Sequence, residues 1–542
     1  MRQLSRLRQG LVLQYSAIGD PKKAIQILLQ TARETNVKGA KGWLFNIQRL
    51  IIERYIQLGD FTQAEAYVRR NQALIVEART WPTYVSFRKA SWECDVEHGK
   101  AKLYEARGQF REAEVSYHRA EILRRESSRL LHTYGEGIPP PAAQLAQAID
   151  FLIVSQGRMK ARQGRIAEGE ADVRRALLSR LKATGKYNLQ TSNYIGFLAN
   201  LLVDQGRFAE AEQLTRAQID VQHALGVSND SQIMAVALNQ LASVINLQGR
   251  WDEAAKVYDE LEGAIKRWDP GRREALQLNL ERIDTLYNTN NLAAGLSAAE
   301  RLLARQRARF GEQHVQTALT RGLVAIGLAR LGRDSDALRE FKAAVPVLLT
   351  RSRVTDEDDA TTAAAREQRA QVVVEFYIAL LARMGPAAGV DAAAESFRLG
   401  DVIRGQSVQR ALVASSARAG AANPALAKLA RKAQDLDMQI AAQLGLLNNL
   451  LALPPQERDE KAVKALQSEF EKMRIARDGT KRDLAARFPK YSSLLEPVPP
   501  TVDDIRAVLR SDEAFVSFYL GRDNSFAWAF SKMGAITFAL SA

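Results

Sequence analysis

Apolar residues recur at intervals of three or four along most of the chain, which is the spacing of one helical face. A clear example is the set Leu238, Leu241, Val244 and Ile245. Near the C-terminus the pattern changes, because aromatic and β-branched residues alternate there with polar ones, as in strands. This pattern predicts a short helix capped by Thr501, followed by strands at 515–520, 526–531 and 535–540.

A six-residue motif occurs eight times within the first 345 residues. Each copy starts with Gly, or once with Asn290, and six of the eight copies have Ala five residues later. In four copies an aromatic residue stands two positions after the first residue. The copies lie at 19–24, 59–64, 108–113, 164–169, 206–211, 249–254, 290–295 and 332–337, so five of the seven spacings are 40 to 43 residues.

Each motif predicts the turn of an antiparallel helix pair. Glycine ends the first helix because it adopts the left-handed conformation at little cost. The aromatic residue covers the end of the pair, and the Ala of the second helix lets the first helix approach closely. Each pair has an apolar flank that only the next pair can cover, so the pairs should stack into a superhelix.

This motif resembles the tetratricopeptide repeat (TPR) family, most clearly in the segment ALNQLASVINLQGRWDEAAKVYDEL (237–261). The period near 42 residues is similar to the longer repeat of kinesin light chains. The turn segments HALGVSND (223–230) and RFGEQHVQT (309–317) are similar to the inter-repeat signature of that variant, without its proline. The likeness is less close over 136–189, where Gly169 replaces the Ala. The resemblance implies an α-solenoid of about eight helix pairs over residues 1–345.

In that family the first helix of each pair lines a concave groove that binds a protein or peptide partner. Amide side chains suit such a groove, because each can both donate to and accept from a peptide backbone. Ordinary solvated helix positions are the alternative interpretation. The Lys/Arg–Asn clamp of some TPR domains is not reproduced, so no ligand class follows. Carried over by position, the candidate groove residues are Asn193, Asn200, Asn239, Gln240, Asn246, Glu281 and Asp284.

The stretch 346–423 is predicted to be a helical linker, with helices over 361–384 and 390–416. Residues 424–487 are predicted to form an antiparallel helical hairpin, because both arms carry apolar residues at alternating intervals of three and four. Two prolines, Pro454 and Pro455, mark its turn. The alternative is a pair of independent helices. Two polar residues, Arg477 and Thr480, interrupt the apolar seam of the second arm.

Four segments near the C-terminus resemble the CHAT family, whose caspase-like peptidase domain commonly follows TPRs. They are FRLGDVIRGQSVQ (397–409), RFPKY (487–491), IRAVLRSDEAFVSFYLG (505–521) and FAWAFSKMGAITFAL (526–540). The resemblance implies that 488–542 is the start of a truncated α/β domain, with its catalytic His and Cys beyond residue 542. A sheet that stops at Leu540 should leave an open apolar edge. We therefore expect this segment to be the least well supported part of the chain.

The 542-residue chain has a formal net charge of +14, which can mark nucleic-acid binding. Charges of both signs are interleaved, however, and the densest basic face consists of Arg301, Arg305 and Arg309, four residues apart. A solvated helix face is the favoured interpretation of these arginines, and a site for phosphate or an acidic partner is the alternative. A membrane partner is not expected, since no apolar run approaches the ~18 residues of a spanning helix.

No motif for catalysis, metal binding or a cofactor is recognised, so we expect no cofactor and assign no catalytic or metal-binding residue. The single cysteine, Cys94, cannot form a disulfide within the chain, which fits a reducing, cytoplasmic location. His98 follows it by four residues, so the two side chains could share a helix face. No orienting group or oxyanion donor accompanies them, and a buried thiol is the favoured interpretation.

Together these patterns predict a mainly α protein. It consists of a TPR-like solenoid, a helical linker, a long helical hairpin and the first strands of an incomplete caspase-like α/β domain. The leading functional hypothesis is an interaction scaffold that recruits partners to an attached cysteine peptidase or regulates it. A non-enzymatic TPR adaptor, whose strands cap the helical array, is the second hypothesis. A nucleic-acid binder, suggested only by the net charge, is the third.

Overall fold

The fold is that of a computed structural model. It describes residues 11–12, 15, 20–37, 41–134, 140–163, 165–353, 363–389, 391–403, 424–426, 428–429, 431–433, 435–436, 439–440, 443, 447, 459–488, 501–521 and 525–540. The chain forms two compact units. One consists of 1–277, 356–364 and 445–463, and the other of 278–355, 365–444 and 464–542.

Helices make up nearly all of the described residues before the terminal strands. In chain order they are α1 (Pro21–Val37), α2 (Leu44–Leu58), α3 (Phe61–Ala78), α4 (Ser86–Ala106), α5 (Phe110–Arg129), α6 (Ala142–Arg162), α7 (Ile166–Thr184), α8 (Leu189–Asp204), α9 (Phe208–Ala224), α10 (Gln232–Leu247), α11 (Trp251–Ile265), α12 (Pro270–Gln277), α13 (Leu280–Asn288), α14 (Leu292–Phe310), α15 (Val315–Arg330), α16 (Asp334–Arg353), α17 (Ala363–Met384), α18 (392–403), α19 (Glu460–Arg487) and α20 (Val502–Val508). The strands are β1 (Ala514–Leu520), β2 (Ser525–Ser531) and β3 (Ala535–Leu540).

The helices of the motif region alternate between first and second members of a pair, except that two helices, α12 and α13, stand between α11 and α14. Each of the eight motif copies is followed by a second helix that begins two residues after the first residue of the motif: α1, α3, α5, α7, α9, α11, α14 and α16. The mainly α, TPR-like solenoid predicted from the motif is therefore confirmed.

In the six copies whose first residue the structure describes, this residue ends the preceding helix in the left-handed conformation. Five glycines have φ between 73° and 76°, and Asn290 has φ 61°. In each such turn the next backbone N–H reaches back to the end of the first helix. Arg207 N–H donates to the Leu202 carbonyl at 2.9 Å, and Asn291 N–H donates to the Leu286 carbonyl at 2.8 Å. The sequence copy with Asn290 is therefore a true member of the repeat. The five glycines are Gly59, Gly108, Gly206, Gly249 and Gly332.

The small residue of the motif lies where the two helices of a pair come closest. Six alanines at this position are completely buried: Ala24, Ala64, Ala113, Ala211, Ala254 and Ala337. The two glycine copies mark still closer contacts. A Cβ added at Gly295 would lie 2.6 Å from the Tyr287 ring, and one at Gly169 would collide with the carbonyl oxygen of Gly157. The motif copy with Gly169 has a less close likeness to the repeat family in sequence. Its two helices are nevertheless more tightly packed.

Three glutamates join neighbouring helix pairs in the same way. Each stands six residues after the first residue of one motif and accepts hydrogen bonds from the Gln and the Arg that flank the first residue of the next. We call these contacts the carboxylate junctions. They are Glu114 with Gln163 and Arg165, Glu170 with Gln205 and Arg207, and Glu212 with Gln248 and Arg250, with shortest N···O distances of 2.6–3.1 Å. Three of the arginines, Arg165, Arg207 and Arg250, therefore help to stack the pairs.

The predicted linker contains a further helix pair, formed by α17 and α18. Gly389, with φ +66°, ends the turn between them, and Ala394 stands five residues later as in the motif. Tyr377 of α17 stacks on Phe341 of α16 with a centroid distance of 5.3 Å. The motif search missed this copy because Gly389 follows Gly332 by 57 residues and no aromatic residue stands two positions after it.

Within 424–487, described residues of the two predicted arms contact each other. Leu426 and Ala433 of the first arm pack against Leu484 near the end of α19, which brings the beginning of one arm to the end of the other. Thr480, in the apolar seam, is 3% exposed, and its hydroxyl donates to a carbonyl one turn earlier at 2.7 Å. This polar residue fits the seam because its own helix satisfies the hydroxyl. The predicted turn at 454–455 lies outside the described residues.

The terminal strands form one antiparallel sheet in the order β1–β2–β3. The short helix α20 precedes the sheet, and Thr501 caps its first turn in a capping box with Asp504. One face of the sheet is buried against the α17–α18 pair. The Trp528 indole N–H donates to Ser396 Oγ at 2.9 Å, and the Tyr519 hydroxyl donates to Glu375 at 2.6 Å. The sequence predicts that the C-terminal segment is the least well supported part of the chain. The face of the sheet that contacts α17 and α18 is instead closely packed.

On the opposite face of the sheet, apolar side chains of β1 are exposed. Val516, Phe518 and Leu520 of β1 are 52%, 58% and 79% exposed. Among the described residues, no strand pairs with the outer edge of β1 or of β3. The exposed apolar surface described here belongs to β1, and the predicted apolar edge at Leu540 stays a prediction.

Helix α17 overlaps one segment, Gln368–Ala388, that is long and apolar enough to cross a membrane by length and composition. Core helices pass the same test. Val373, Ile378 and Leu381 on this helix are at most 1% exposed, and the equally buried Glu375 accepts the hydrogen bond from Tyr519. The helix has the environment of a core helix, since its apolar side chains pack against other helices and the sheet.

Candidate peptide-binding surface

The first helices of neighbouring pairs contact one another through side chains in the first compact unit. Asp95 of α4 lies 3.6 Å from Arg49 of α2, and Glu105 of α4 lies 2.9 Å from Arg158 of α6. Gln240 of α10 donates to the Gly196 carbonyl of α8 at 3.3 Å. The first helices thus form a continuous row, which we call the first-helix row. It is the surface that the TPR resemblance assigns to ligands.

Four of the predicted groove residues lie on α8 and α10 with accessible side chains. Asn200 is exposed, and Asn193, Asn239 and Gln240 are half-buried. Asn246 is only 5% exposed, so it belongs to the interior and contributes little surface to a ligand. The structure therefore brings the amides of α8 and α10 to one row of helices, and leaves Asn246 behind it.

Phe197 is a feature of this row that the motif analysis did not single out. It is half-buried and stands between Asn193 and Asn200 at intervals of four and three residues, so all three share one face of α8. The guanidinium of Arg158, from the preceding first helix, lies 5.2 Å from the centre of its ring. The spacing of Phe197 from the two asparagines was the sequence signal for it. The row therefore offers an aromatic surface between two amides.

The remaining groove candidates lie in the second compact unit and have partners within it. Glu281 of α13 forms an ion pair with Arg369 of α17. Asp284 accepts a hydrogen bond from the Asn288 amide at 3.1 Å. Glu281 is thus used to attach the α17–α18 pair, which the sequence did not reveal as a neighbour.

Glu105 is the most strongly perturbed carboxylate of the first-helix row. Burial alone would raise its pKa, but the charges of Lys102 and Arg158 and the hydroxyl of Tyr117 outweigh burial and lower the pKa of Glu105 to about 2. The ammonium of Lys102 also lies 5.3 Å from the ring centre of Phe151 on α6. These contacts fix the first helices relative to one another and leave Arg158 oriented over Phe197.

The predicted basic face lies on α14, where Arg301 and Arg305 are exposed. The side chain of Arg309 is outside the described residues. Arg307, on the same helix, pairs with Glu312 at 3.0 Å. The two described members of the face are therefore placed in solvent, as both interpretations of them require.

The position of Cys94 in the interior favours a buried thiol over a reactive pair with His98. Cys94 is completely buried, and burial raises the pKa of its thiol to about 11. Burial and the nearby Arg49 lower the pKa of His98 well below its usual value. A protonated thiol inside a helix core is a poor nucleophile. Among the described residues no group of His, Cys, Asp and Glu side chains could hold a metal ion.

Two solved structures have distant similarity to this chain. The match to the crystal structure of BtubC (BKLC) from P. vanneervenii covers 46% of this chain and 89% of the BtubC chain, with 13% identity and a TM-score of 0.33. The match to the apo form of the quorum sensor NprR from B. thuringiensis covers 64% of this chain and 99% of the NprR chain, with 13% identity and a TM-score of 0.34. Because these scores are low, the solenoid assignment rests on the repeated helix pairs themselves. No family model and no curated protein matches the sequence.

Proposed function

We propose that this chain is an interaction scaffold that binds an extended peptide segment of a protein partner along the first-helix row. The observation that carries this proposal is the arrangement on α8, where Phe197 lies between Asn193 and Asn200 and beneath Arg158. The ring surface would contact an apolar side chain of the peptide. The two amides would bind its backbone, since each can donate and accept.

A selection from a random peptide display library on the purified chain tests the proposal. Selected peptides should bind Asn200→Ala about 2- to 10-fold more weakly than the wild type, which is the effect of one lost hydrogen bond. Gln213→Ala, an exposed amide on the second helix α9, is the matched control and should change nothing. Peptides that respond to Gln213→Ala as strongly as to Asn200→Ala would contradict the proposal.

The CHAT resemblance extends this function to an attached caspase-like peptidase encoded beyond residue 542. Two observations support this extension. The segments 505–521 and 526–540 adopt the helix–strand and hairpin order of that family. The apolar outer face of β1 and the outer edge of β3 are what a further α/β layer would cover. An in-frame continuation of the gene with a His and a Cys in strand-rich sequence is expected, and a stop codon directly after codon 542 would overturn this part.

A non-enzymatic adaptor is the second candidate, and one observation favours it. The sheet covers the α17–α18 pair with the buried side chains of Phe526, Trp528 and Phe530, as a cap on the last pair of a solenoid would. A solenoid needs such a cap whether or not a peptidase follows. The same gene sequence therefore separates the two candidates.

A further inference from the structure

An aromatic cluster lies apart from the first-helix row residues around Phe197, where the beginnings of α2 and α4 meet the connection 79–85. It consists of Phe45, Trp81, Tyr84 and Trp92. The Trp92 ring lies 5.3 Å from Phe45, 5.7 Å from Trp81 and 6.3 Å from Tyr84, measured between centroids. Phe45 is completely buried, whereas the other three side chains are half-buried. The cluster therefore has a buried base and presents aromatic surface to solvent.

The backbone around this cluster is arranged to bring the rings together. Gly42 passes so close to Trp92 that an added Cβ would lie 3.0 Å from Cε2 of the indole. Ser86, the first residue of α4, has φ 38°, a conformation that costs a non-glycine residue about 1–3 kcal/mol. The strained Ser86 and the close contact of Gly42 with Trp92 lie next to the half-buried rings. They distinguish this region from an ordinary surface turn.

The polar ends of the cluster are bound to carboxylates. The Tyr84 hydroxyl is hydrogen-bonded to Glu93, and burial together with this bond raises the pKa of Tyr84 to about 12. Hydrogen bonds from Lys41 and from the Trp81 indole lower the pKa of Glu77. Two carboxylates thus border the rings, and Arg79 of the chain also lies against Tyr84. Aromatic faces beside carboxylates attract cations.

A cation of the chain itself already lies at this position. The Lys41 ammonium is 2.9 Å from Glu77 Oε1 and 5.7 Å from the centre of the Trp81 ring. The side chains of Lys41 and Glu77 are 42% and 51% exposed, so this ion pair contributes little stability and can exchange with solvent or another cation. The position of Lys41 therefore indicates that the site binds a cation. Because its ion pair is weak, another cation can replace it.

The geometry points to the aromatic cluster as a recognition site for an arginine side chain of a protein partner, with Lys41 as its occupant in the unbound chain. A planar guanidinium can stack on the Trp81 ring and bind both oxygens of Glu77, which a lysine ammonium cannot do. An arginine should therefore displace Lys41. The site would contribute specificity for a basic segment, independently of the peptide surface around Phe197.

The indole N–H signals of the protein, followed by NMR, provide the test. The full chain is titrated with the peptide acetyl-Gly-Arg-Gly-amide and, as the uncharged control, with its citrulline analogue. Lys41→Met removes the competing cation and keeps the length of the side chain, so affinity for the arginine peptide should rise about 2- to 5-fold. Glu77→Gln in the same background should remove the gain. Lys182→Met, an exposed lysine on α7, is the matched control and should leave the affinity unchanged.

Three results would each overturn the inference. They are an unchanged affinity in Lys41→Met, equal binding of the arginine and citrulline peptides, and a titration that leaves the Trp81 indole signal in place. The Lys41 side chain is 42% exposed, so Lys41→Met should leave the fold intact. Failure here would leave the proposal for Asn200 untouched, because the two experiments use different residues and ligands.

Discussion

Single small residues decide how closely the helices of each pair approach. Alanine fills the space at six of the eight motif copies, where it is fully buried. At Gly169 the second helix comes so close that the carbonyl of Gly157 occupies the place of a Cβ. The same sequence position therefore has a different steric tolerance in different pairs, and a substitution can measure it.

Gly169→Ala should destabilise the protein by about 1–3 kcal/mol, because α6 and α7 must move apart to admit the methyl group. Urea unfolding followed by circular dichroism measures the change. The matched control is Gly263→Ala on α11, where no atom lies within 4 Å of an added Cβ. That substitution should stabilise by about 0.5–1 kcal/mol through helix propensity. Equal effects of the two substitutions would refute the close approach.

Glu105 makes stability depend on pH in a defined window. Its pKa is about 2 in the folded chain and 4.5 as the ordinary value. The stability from its ionised form is therefore present above pH 4.5 and is lost as the pH falls toward 2. Glu105→Gln should lower the free energy of unfolding at pH 7 by roughly 2–3 kcal/mol. The difference from the wild type should shrink below pH 4.5.

Urea titrations at pH 7 and at pH 3.5 measure this change. Glu260→Gln, an exposed glutamate on α11, is the control and should have little effect at either pH. If the loss caused by Glu105→Gln is the same at both pH values, the ionised carboxylate is not what stabilises the contact between α4 and α6.

At the scale of helices, the carboxylate junctions add polar contacts between specific residues to the apolar stacking of the pairs. Glu212 accepts hydrogen bonds from Gln248 and Arg250 of the next pair, whereas Arg333 pairs with Asp336, three residues later in the chain. The first kind of contact connects two pairs, and the second connects residues three apart. They should therefore differ in energetic coupling.

A double-mutant cycle of Glu212→Ala and Arg250→Ala should give a coupling energy of about 0.5–1 kcal/mol in unfolding experiments. The cycle of Arg333→Ala and Asp336→Ala is the comparison, and its coupling should stay below about 0.5 kcal/mol, as for exposed pairs within a helix. A coupling at Glu212 no larger than at Asp336 would show that the junctions do not help to stack the pairs.

The motif predicted the elements well because its signals are local. The second helices begin where the motif places them, and Asn290 adopts the left-handed conformation that the aligned glycines adopt. The α17–α18 pair escaped the search because its spacing from the eighth copy is irregular. Phe197 and the Lys41–Trp81 contact were missed for another reason. Their roles depend on Arg158 and Glu77, which lie 39 and 36 positions away in sequence and become neighbours only through packing.

At the scale of the second compact unit, the sheet and the α17–α18 pair share one hydrophobic core. Phe397 of α18 contacts the rings of Trp528 and Phe530 at centroid distances of 6.0 and 4.9 Å. A Cβ added at Gly400 would lie 2.5 Å from the Trp528 ring, so α18 and the sheet are in close contact. The sheet thus supports this helix pair, whatever follows it in the gene.

Removal of residues 501–542 should therefore loosen α17 and α18. Amide hydrogen exchange, followed by mass spectrometry, should become at least about tenfold faster over 369–403, because the loss of the buried aromatic contacts lowers the local free energy of opening by more than about 1.4 kcal/mol. Exchange in α8 and α10, which belong to the first compact unit, should stay unchanged. Trp528→Ala should give the same pattern to a smaller degree. Phe518→Ser, on the uncovered face of the sheet, is the matched control and should leave 369–403 protected. Unchanged exchange over 369–403 in the shortened chain would show that the sheet does not cap the helices.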